Sequence, residues 1–171
     1  RPNGIFLVTG PTGSGKTTLL SALLSLAPST ERVLIVEDSG ELDPDHEHVV
    51  RLEVRPANVE GSGHVSMRDL VRQALRMRPD RLVVGEVRGA EVVDLLAALN
   101  TGHEGGCGTV HANSASGVPA RLEALALAAG LATIGSLVSM ADAHSDDASS
   151  ALVAGRDDGV ASSSSSSSSS V

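Results

Sequence analysis

The sequence predicts a single α/β domain in which a mostly parallel sheet is flanked by helices. Two apolar runs, Val33–Val36 and Leu82–Val84, are continuous rather than alternating, which is typical of strands buried on both faces. Helix-like segments alternate with such runs along the chain, a pattern that favours a parallel sheet. A glycine-rich loop also separates the first apolar run from the first helical segment.

The elements of the first half follow from apolar runs and their stop signals. Ile5–Val8 predicts a first buried strand, and Thr18–Leu24 predicts a helix that Pro28 ends. Val33–Val36 is the second strand, and the alternation in Val49–Val54 predicts a third strand at a sheet edge.

The second half continues the same alternation. Ser66 begins a helix that runs to about Met77, with Asp69 as its capping partner and Pro79 just beyond its end. The remaining predicted strands are Arg81–Gly85 and Thr109–Val110. The remaining predicted helices are Ala90–Leu99, which Asn100 and Gly102 end, and Val118–Ala129.

Residues Gly10–Thr17 form a complete G-x-x-x-x-G-K-T phosphate loop, and Lys16 is the only lysine in the chain. Its glycines let successive N–H groups point inward, while the following helix presents its positive end to the same anion. Thr17 offers a hydroxyl to Mg²⁺. We therefore predict that a nucleoside triphosphate is bound by Gly10, Pro11, Thr12, Gly13, Ser14, Gly15, Lys16, Thr17 and Thr18.

Two acidic groups follow predicted strands. Glu37 and Asp38 come at the end of the second strand, where ligands of open α/β sheets bind, so one of them could orient or deprotonate the attacking water. A solvated acidic loop is the alternative. Glu86 follows an apolar strand that ends in Gly85 rather than the usual aspartate, and we expect Glu86 to act beside Mg²⁺. Arg88, two residues later, could pair with a carboxylate or fix Glu86, and a simple surface arginine is the alternative.

A histidine and several arginines complete the candidate set. His111 lies at a strand end and could sense the γ-phosphate or relay its state to a neighbouring subunit, although a lone histidine is more often structural. Arg55 is a candidate arginine finger, for its own or an adjacent subunit. Arg68, Arg72 and Arg76 lie on one helix face, which we interpret as a solvated or subunit-contacting side.

Composition excludes several classes of protein. The net charge of −8 argues against broad nucleic-acid binding, which needs a basic surface. No apolar stretch approaches the roughly 20 residues of a membrane span, so we expect a cytosolic protein. Cys107 is the one cysteine and is expected to be a small packed residue, and no histidine has metal-ligand spacing.

The end of the chain has a different composition. Residues 132–160 are rich in small and acidic residues, and residues 161–171 contain nine consecutive serines. A serine run has nothing to bury and is typical of a flexible tail. We therefore expect the folded nucleotide-binding domain to occupy residues 1–131.

Four ordered motifs resemble the motor domain of ATPases that serve type II and type IV secretion and type IV pili. They are the phosphate loop Gly10–Thr17, the acidic box Ile35–Leu42, the strand Val83–Arg88 and the histidine box Gly108–Asn113. The segments Met67–Asp80 and Leu99–Gly105 look most like the tight-adherence (Tad/Flp pilus) branch.

The resemblance implies a RecA-like core, a homo-hexameric ring and Mg²⁺-dependent ATP hydrolysis. It suggests Glu37 and Glu86 as the acids that handle water and Mg²⁺, with His111 as a coupling residue. It further implies inner-membrane secretion or pilus platform proteins as partners, which hold a cytoplasmic protein peripherally at that membrane. Family members carry an N-terminal domain, which we expect this chain to lack because its phosphate loop begins at residue 10.

Two other functions remain open. One is a nucleic-acid motor built on the same core, although the negative charge counts against it. The other is a nucleotide-binding fragment that does not turn ATP over.

Overall fold

The computed structural model describes residues 6–100, 105–130 and 153–154. Strands and helices alternate in the predicted order. The strands are β1 (Phe6–Thr9), β2 (Val33–Glu37), β3 (Val49–Glu53), β4 (Arg81–Val87), β5 (Cys107–Val110) and β6 (Val153–Ala154). The helices are α1 (Lys16–Ser25), α2 (Met67–Arg76), α3 (Glu91–Asn100) and α4 (Val118–Ala128), the last preceded by a 3₁₀ turn at Ala115–Gly117.

The strands form one six-stranded sheet in the order β3-β2-β4-β5-β1-β6, and all of its strand pairings are parallel. This confirms the predicted parallel sheet, with β3 at an edge. The short strand β6 was not predicted and pairs with the end of β1. The rest of the segment from 132 to 171, including the serine run, lies outside the described residues.

Helices cover both faces of the sheet, which explains why the central strands are continuously apolar. In β2, Leu34 and Val36 pack into a core shared with α2, α3 and α4. Val33 and Ile35 point the other way, into a core with Leu20 and Leu24 of α1. Because alternate residues point to opposite faces, a strand in this position needs an apolar residue at every step.

Helix α2 begins at a capping box, as the sequence predicts. The Ser66 side chain accepts the backbone N–H of Asp69, and the Asp69 carboxylate accepts the backbone N–H of Ser66. Directly after the C-cap residue Met77, Arg78 has a φ of 52°, the left-handed conformation in which helices often end.

The interpretation of the arginine stripe on α2 needs correction. Arg68 Nε and Arg72 Nε donate to the two carboxylate oxygens of Asp94 on α3, at 2.5 and 2.9 Å. Two of the three arginines therefore join two neighbouring helices, and Arg76 stays exposed. The spacing of the stripe was visible in the sequence, but its partner, more than 20 residues further on, was not.

Two strands are longer than predicted because glycine did not end them. β4 continues past Gly85 to Val87, where its pairing with β5 resumes. β5 begins at Cys107 and includes Gly108, whose missing side chain leaves room for the Val84 carbonyl. In the described part of the chain, no helix has the length and apolar character needed to cross a membrane.

Candidate active site

Four segments that follow or end parallel strands surround one cavity of about 400 Å³. They lie within residues 12–17 after β1, residues 37–41 after β2, residues 85–88 in and after β4, and residues 109–111 at the end of β5. Parallel strands bring their carboxyl ends to the same edge of a sheet, so residues far apart in sequence meet here.

The phosphate loop is shaped by glycines with positive φ angles. Gly13 has a φ of 80° and Gly15 a φ of 82°, which L-residues rarely adopt. Lys16 Nζ donates to the carbonyl oxygens of Gly10 and Pro11, at 2.9 and 2.8 Å, so its ammonium bends back over the loop. α1 begins at Lys16, which places the positive end of the helix at the cavity.

Glu37 is the buried acid of the site. Its side chain is only 4% exposed, and its Oε1 accepts the backbone N–H groups of Glu41 and Leu42, at 3.2 and 3.0 Å. Its Oε2 is buried and has no hydrogen-bond partner among the described residues. Burial raises the pKa of Glu37, and the two backbone hydrogen bonds offset part of that rise. One oxygen is thus fixed by two hydrogen bonds, while the other is buried without a partner among the described residues.

Gly85 is required by the position of Glu37. A Cβ at residue 85 would lie 2.7 Å from Glu37 Cγ and 3.2 Å from Glu37 Oε1. The Gly85 carbonyl accepts the hydroxyl of Thr109 from β5 at 2.5 Å, which ties this point of β4 to its neighbour. The place where an aspartate is usual is therefore filled by the side chain of Glu37 from the adjacent strand.

Glu86 lies in an irregularity of β4. The pairing with β5 shifts between Val84 and Val87, so that β4 has one residue more than β5 in this stretch. Such a bulge changes the direction of a side chain next to a site. Glu86 Oε1 lies 3.2 Å from His111 Nε2, and its Oε2 lies 3.7 Å from Nη1 of Arg88.

Two further side chains support the site: Arg88, for which the sequence left a pairing with a carboxylate open, and Thr9, to which it assigned no role. Arg88 also pairs with Asp38 through Nη2 and thereby joins the acids of β2 and β4. Thr9, at the end of β1, donates its hydroxyl to the Ala112 carbonyl at 3.1 Å and accepts the Ala112 N–H at 3.2 Å. These two hydrogen bonds fix the backbone of Ala112, which is the residue after His111. A hydroxyl directly after an apolar run was the signal available for Thr9.

The predicted site residues do not all reach the cavity. Thr12, Gly13, Lys16 and Thr17 of the loop line it, together with Glu37, Glu86 and His111, whereas Thr18 is exposed on α1. Arg55 does not line it either. It is exposed, forms an isolated bridge with Val65, and donates Nε–H to the Gly63 carbonyl at 2.8 Å.

The charges around the cavity suit a divalent cation. Its lining holds four acidic and two basic side chains: Glu37, Asp38, Glu41 and Glu86 against Lys16 and Arg88. Thr17 and Glu86 offer the oxygen ligands that Mg²⁺ prefers. Within the described ranges no three His, Cys, Asp or Glu side chains could hold a metal by themselves. A metal here would complete its coordination with water and phosphate oxygens.

Comparisons with known proteins agree with this arrangement. The family model described as "Type II/IV secretion system protein" matches residues 1–150. A Mycobacterium tuberculosis relative, named Putative conjugal transfer protein Rv3659c, is 68% identical over 126 residues, which are 74% of this chain and 36% of the relative. The chain thus spans little more than a third of that relative.

Solved structures share the fold. The VirB11 ATPase of the Brucella suis type IV secretion system, in complex with sulphate, has a TM-score of 0.65 and 35% identity, and the match covers 74% of this chain and 36% of VirB11. The pilus retraction motor PilT with bound ADP has a TM-score of 0.53 and 37% identity, with coverage of 64% and 32%. These neighbours confirm the α/β RecA-like core.

Proposed function

Since the chain belongs to the type II/IV secretion system protein family, we propose that it is the ATP-hydrolysing motor domain of a secretion or pilus-assembly ATPase. The observation that carries the proposal is the convergence of Lys16, Glu37, Glu86 and His111 on one cavity at the end of the sheet. Each of these residues comes from a different strand end or from the helix that follows it. A nucleotide in that cavity would meet all four.

The phosphate loop would hold the nucleotide. Backbone N–H groups of the loop and Lys16 Nζ would bind the β- and γ-phosphates, and the start of α1 adds its partial positive charge. Lys16 would then exchange the carbonyls of Gly10 and Pro11 for phosphate oxygens. Thr17 and Glu86 would hold Mg²⁺, Glu86 directly or through water. A bound Mg²⁺ would neutralise charge that develops on the phosphate oxygens.

Glu37 is our candidate for the general base. The attacking water would form the new bond to the γ-phosphorus and give its proton to the Glu37 carboxylate, while the bond to the β–γ bridging oxygen breaks to release ADP and phosphate. The burial that raises the pKa of Glu37 makes its carboxylate a better proton acceptor at neutral pH. His111, at 3.2 Å from Glu86, would couple the state of this site to the end of β5.

The assembly and partners belong to the same proposal. We infer a homo-hexameric ring of the tight-adherence (Tad/Flp pilus) branch, which couples hydrolysis to pilin assembly or protein export. Arg55 is exposed and lies outside the cavity of its own chain, so it would act in a neighbouring subunit. Platform proteins of the inner membrane would hold the ring peripherally on the cytoplasmic side.

The test is Mg²⁺-dependent ATP hydrolysis, measured on the natural full-length protein over a range of protein concentrations without nucleic acid. We expect specific activity to rise with concentration, because sites shared between subunits form on assembly. Lys16→Ala should abolish nucleotide binding. Glu86→Gln should spare binding and remove turnover, while the matched control Glu123→Gln, exposed on α4, should change neither.

Other outcomes would favour the alternatives. Nucleotide binding without turnover in the wild type would identify a nucleotide-responsive module. Stimulation of hydrolysis by DNA or RNA would favour a nucleic-acid motor. Normal hydrolysis by Glu86→Gln would show that the assignment of Glu86 is wrong.

A further inference from the structure

We propose that Arg88 is a positioning residue, which holds Asp38 and Glu86 in one network and thereby sets the geometry for turnover. This inference rests on the proposed function, since the role concerns the hydrolytic step. It assigns to Arg88 no contact with the nucleotide. Its effect would pass through the two carboxylates that it joins.

Arg88 spans the mouth of the cavity between two neighbouring strands. Its Nη2 pairs with Asp38 Oδ2, directly after β2, and its Nη1 lies 3.7 Å from Glu86 Oε2 on β4. The second oxygen of Glu86 faces His111. Each oxygen of Glu86 therefore has its own polar neighbour, Arg88 for one and His111 for the other.

The backbone beneath Arg88 is itself fixed. Glu91, at the start of α3 and only 5% exposed, accepts the N–H groups of Arg88 and Gly89 at 2.8 and 2.7 Å. The guanidinium therefore extends from a rigid turn.

Arg88 contributes little to stability, so a loss of activity in an Arg88 variant would reflect misplaced side chains and not unfolding. The side chains of Arg88 and Asp38 are 56% and 39% exposed, and ion pairs with that exposure contribute little to stability. Replacing Arg88 should therefore leave the fold intact. The replacement would instead change the positions of the two acids. Asp38 and Glu86 would repel each other, and of its two contacts Glu86 would keep the one with His111.

The experiment compares kcat, KM and the Kd of a fluorescent ATP analogue for the wild type and for variants of the natural full-length protein. We expect Arg88→Gln to lower kcat by about 10- to 100-fold, the range that small misplacements of reacting groups produce. KM and Kd should stay within about twofold, since positioning of Glu86 does not alter phosphate binding. Arg88→Lys should recover part of the loss, because an ammonium can pair with one carboxylate but not bridge two.

Two further variants separate this role from a general effect of charge. In an Asp38→Asn background, Arg88→Gln should cost less than in the wild type, because one end of the bridge is already gone. The matched control is Arg72→Gln. Arg72 is 48% exposed and also bonded to an aspartate, but it lies on α2 outside the cavity lining. Its kcat should stay within about twofold of the wild type.

Each outcome decides the matter. Unchanged kcat in Arg88→Gln, or losses that simply add to those of Asp38→Asn, would overturn the proposal while the proposed function stands. A parallel loss of nucleotide binding would make Arg88 a binding residue instead. A wild type without ATP turnover would overturn the proposed function and this role with it.

Discussion

The contact between Gly85 and Glu37 allows a sharp test of the buried acid. Gly85→Ala would add one methyl group to β4, and that carbon would lie 2.7 Å from Glu37 Cγ. Glu37 would have to retreat by about 0.7 Å to reach ordinary contact, which begins near 3.4 Å. The backbone of β4 cannot move away easily, because the Gly85 carbonyl is bonded to the Thr109 hydroxyl.

The expected cost falls on the reaction rather than on binding. A shift of this size would stretch or break the bonds that Glu37 Oε1 accepts from Glu41 and Leu42. Misplacing a reacting group by about 1 Å can lower a rate about 10²-fold, so we expect kcat to fall between about 10- and 100-fold. Overpacking should also lower the free energy of unfolding by ~1–3 kcal/mol.

The assay measures kcat, the Kd of a fluorescent nucleotide and the melting temperature on the same preparations. Gly117→Ala is a suitable control, since a Cβ there meets the Ser114 hydroxyl oxygen at 3.4 Å and the backbone φ is −83°. The control should retain wild-type kcat. If folded Gly85→Ala protein hydrolyses ATP within twofold of the wild-type rate, then the position of Glu37 does not matter and its assignment as base is wrong.

Three further predictions concern the fold. Burial acts to raise the pKa of Asp94, but hydrogen bonds from two arginines of α2 outweigh it and hold that pKa below its usual range. Asp94→Asn should therefore lower the free energy of unfolding by about 1 kcal/mol at pH 7. In urea titrations this difference from the wild type should vanish as the pH falls through the lowered pKa of Asp94. A difference that does not depend on pH would contradict the link between that pKa and stability. Gly108→Ala would bring a Cβ to 2.5 Å from the Val84 carbonyl oxygen. It should lower the free energy of unfolding by about 2 kcal/mol or more, and an unchanged urea midpoint would show that β5 can move away. Burial raises the pKa of the Cys107 thiol to about 12, so a disulfide reagent at pH 8 should modify it only after denaturation; rapid labelling of the native protein would mean that β5 opens.

Much of the fold could be predicted because its signals are local. The apolar runs of β2 and β4, the capping box at Ser66 and the stop at Pro79 each lie within a few residues of the element that they define. The glycines of β4 and β5 were misleading because the need for them comes from neighbouring strands and not from the local sequence. Gly85 and Gly108 look like strand ends by propensity, yet each is needed where a neighbouring strand approaches closely.

The candidate site was predictable in its residues but not in its contacts. The phosphate loop, Glu37, Glu86 and His111 could be identified because each directly follows an apolar run. The pairing of Arg88 with Asp38 joins residues 50 positions apart and depends on β2 lying beside β4. No local pattern contains that adjacency, so Asp38 became visible as the partner of Arg88 only with the sheet order.

The same adjacency explains how several acids can share one small cavity. Three of the four carboxylates are restrained by groups from outside their own strands: Glu37 by the N–H groups of the following loop, Asp38 by Arg88, and Glu86 by Arg88 and His111. Like charges this close would repel if they were free to move. The arrangement is therefore stable only when β2, β4 and β5 lie in register. A nucleotide that binds between these strand ends would act on all three strands at once, and this gives a physical route from the γ-phosphate to the rest of the sheet.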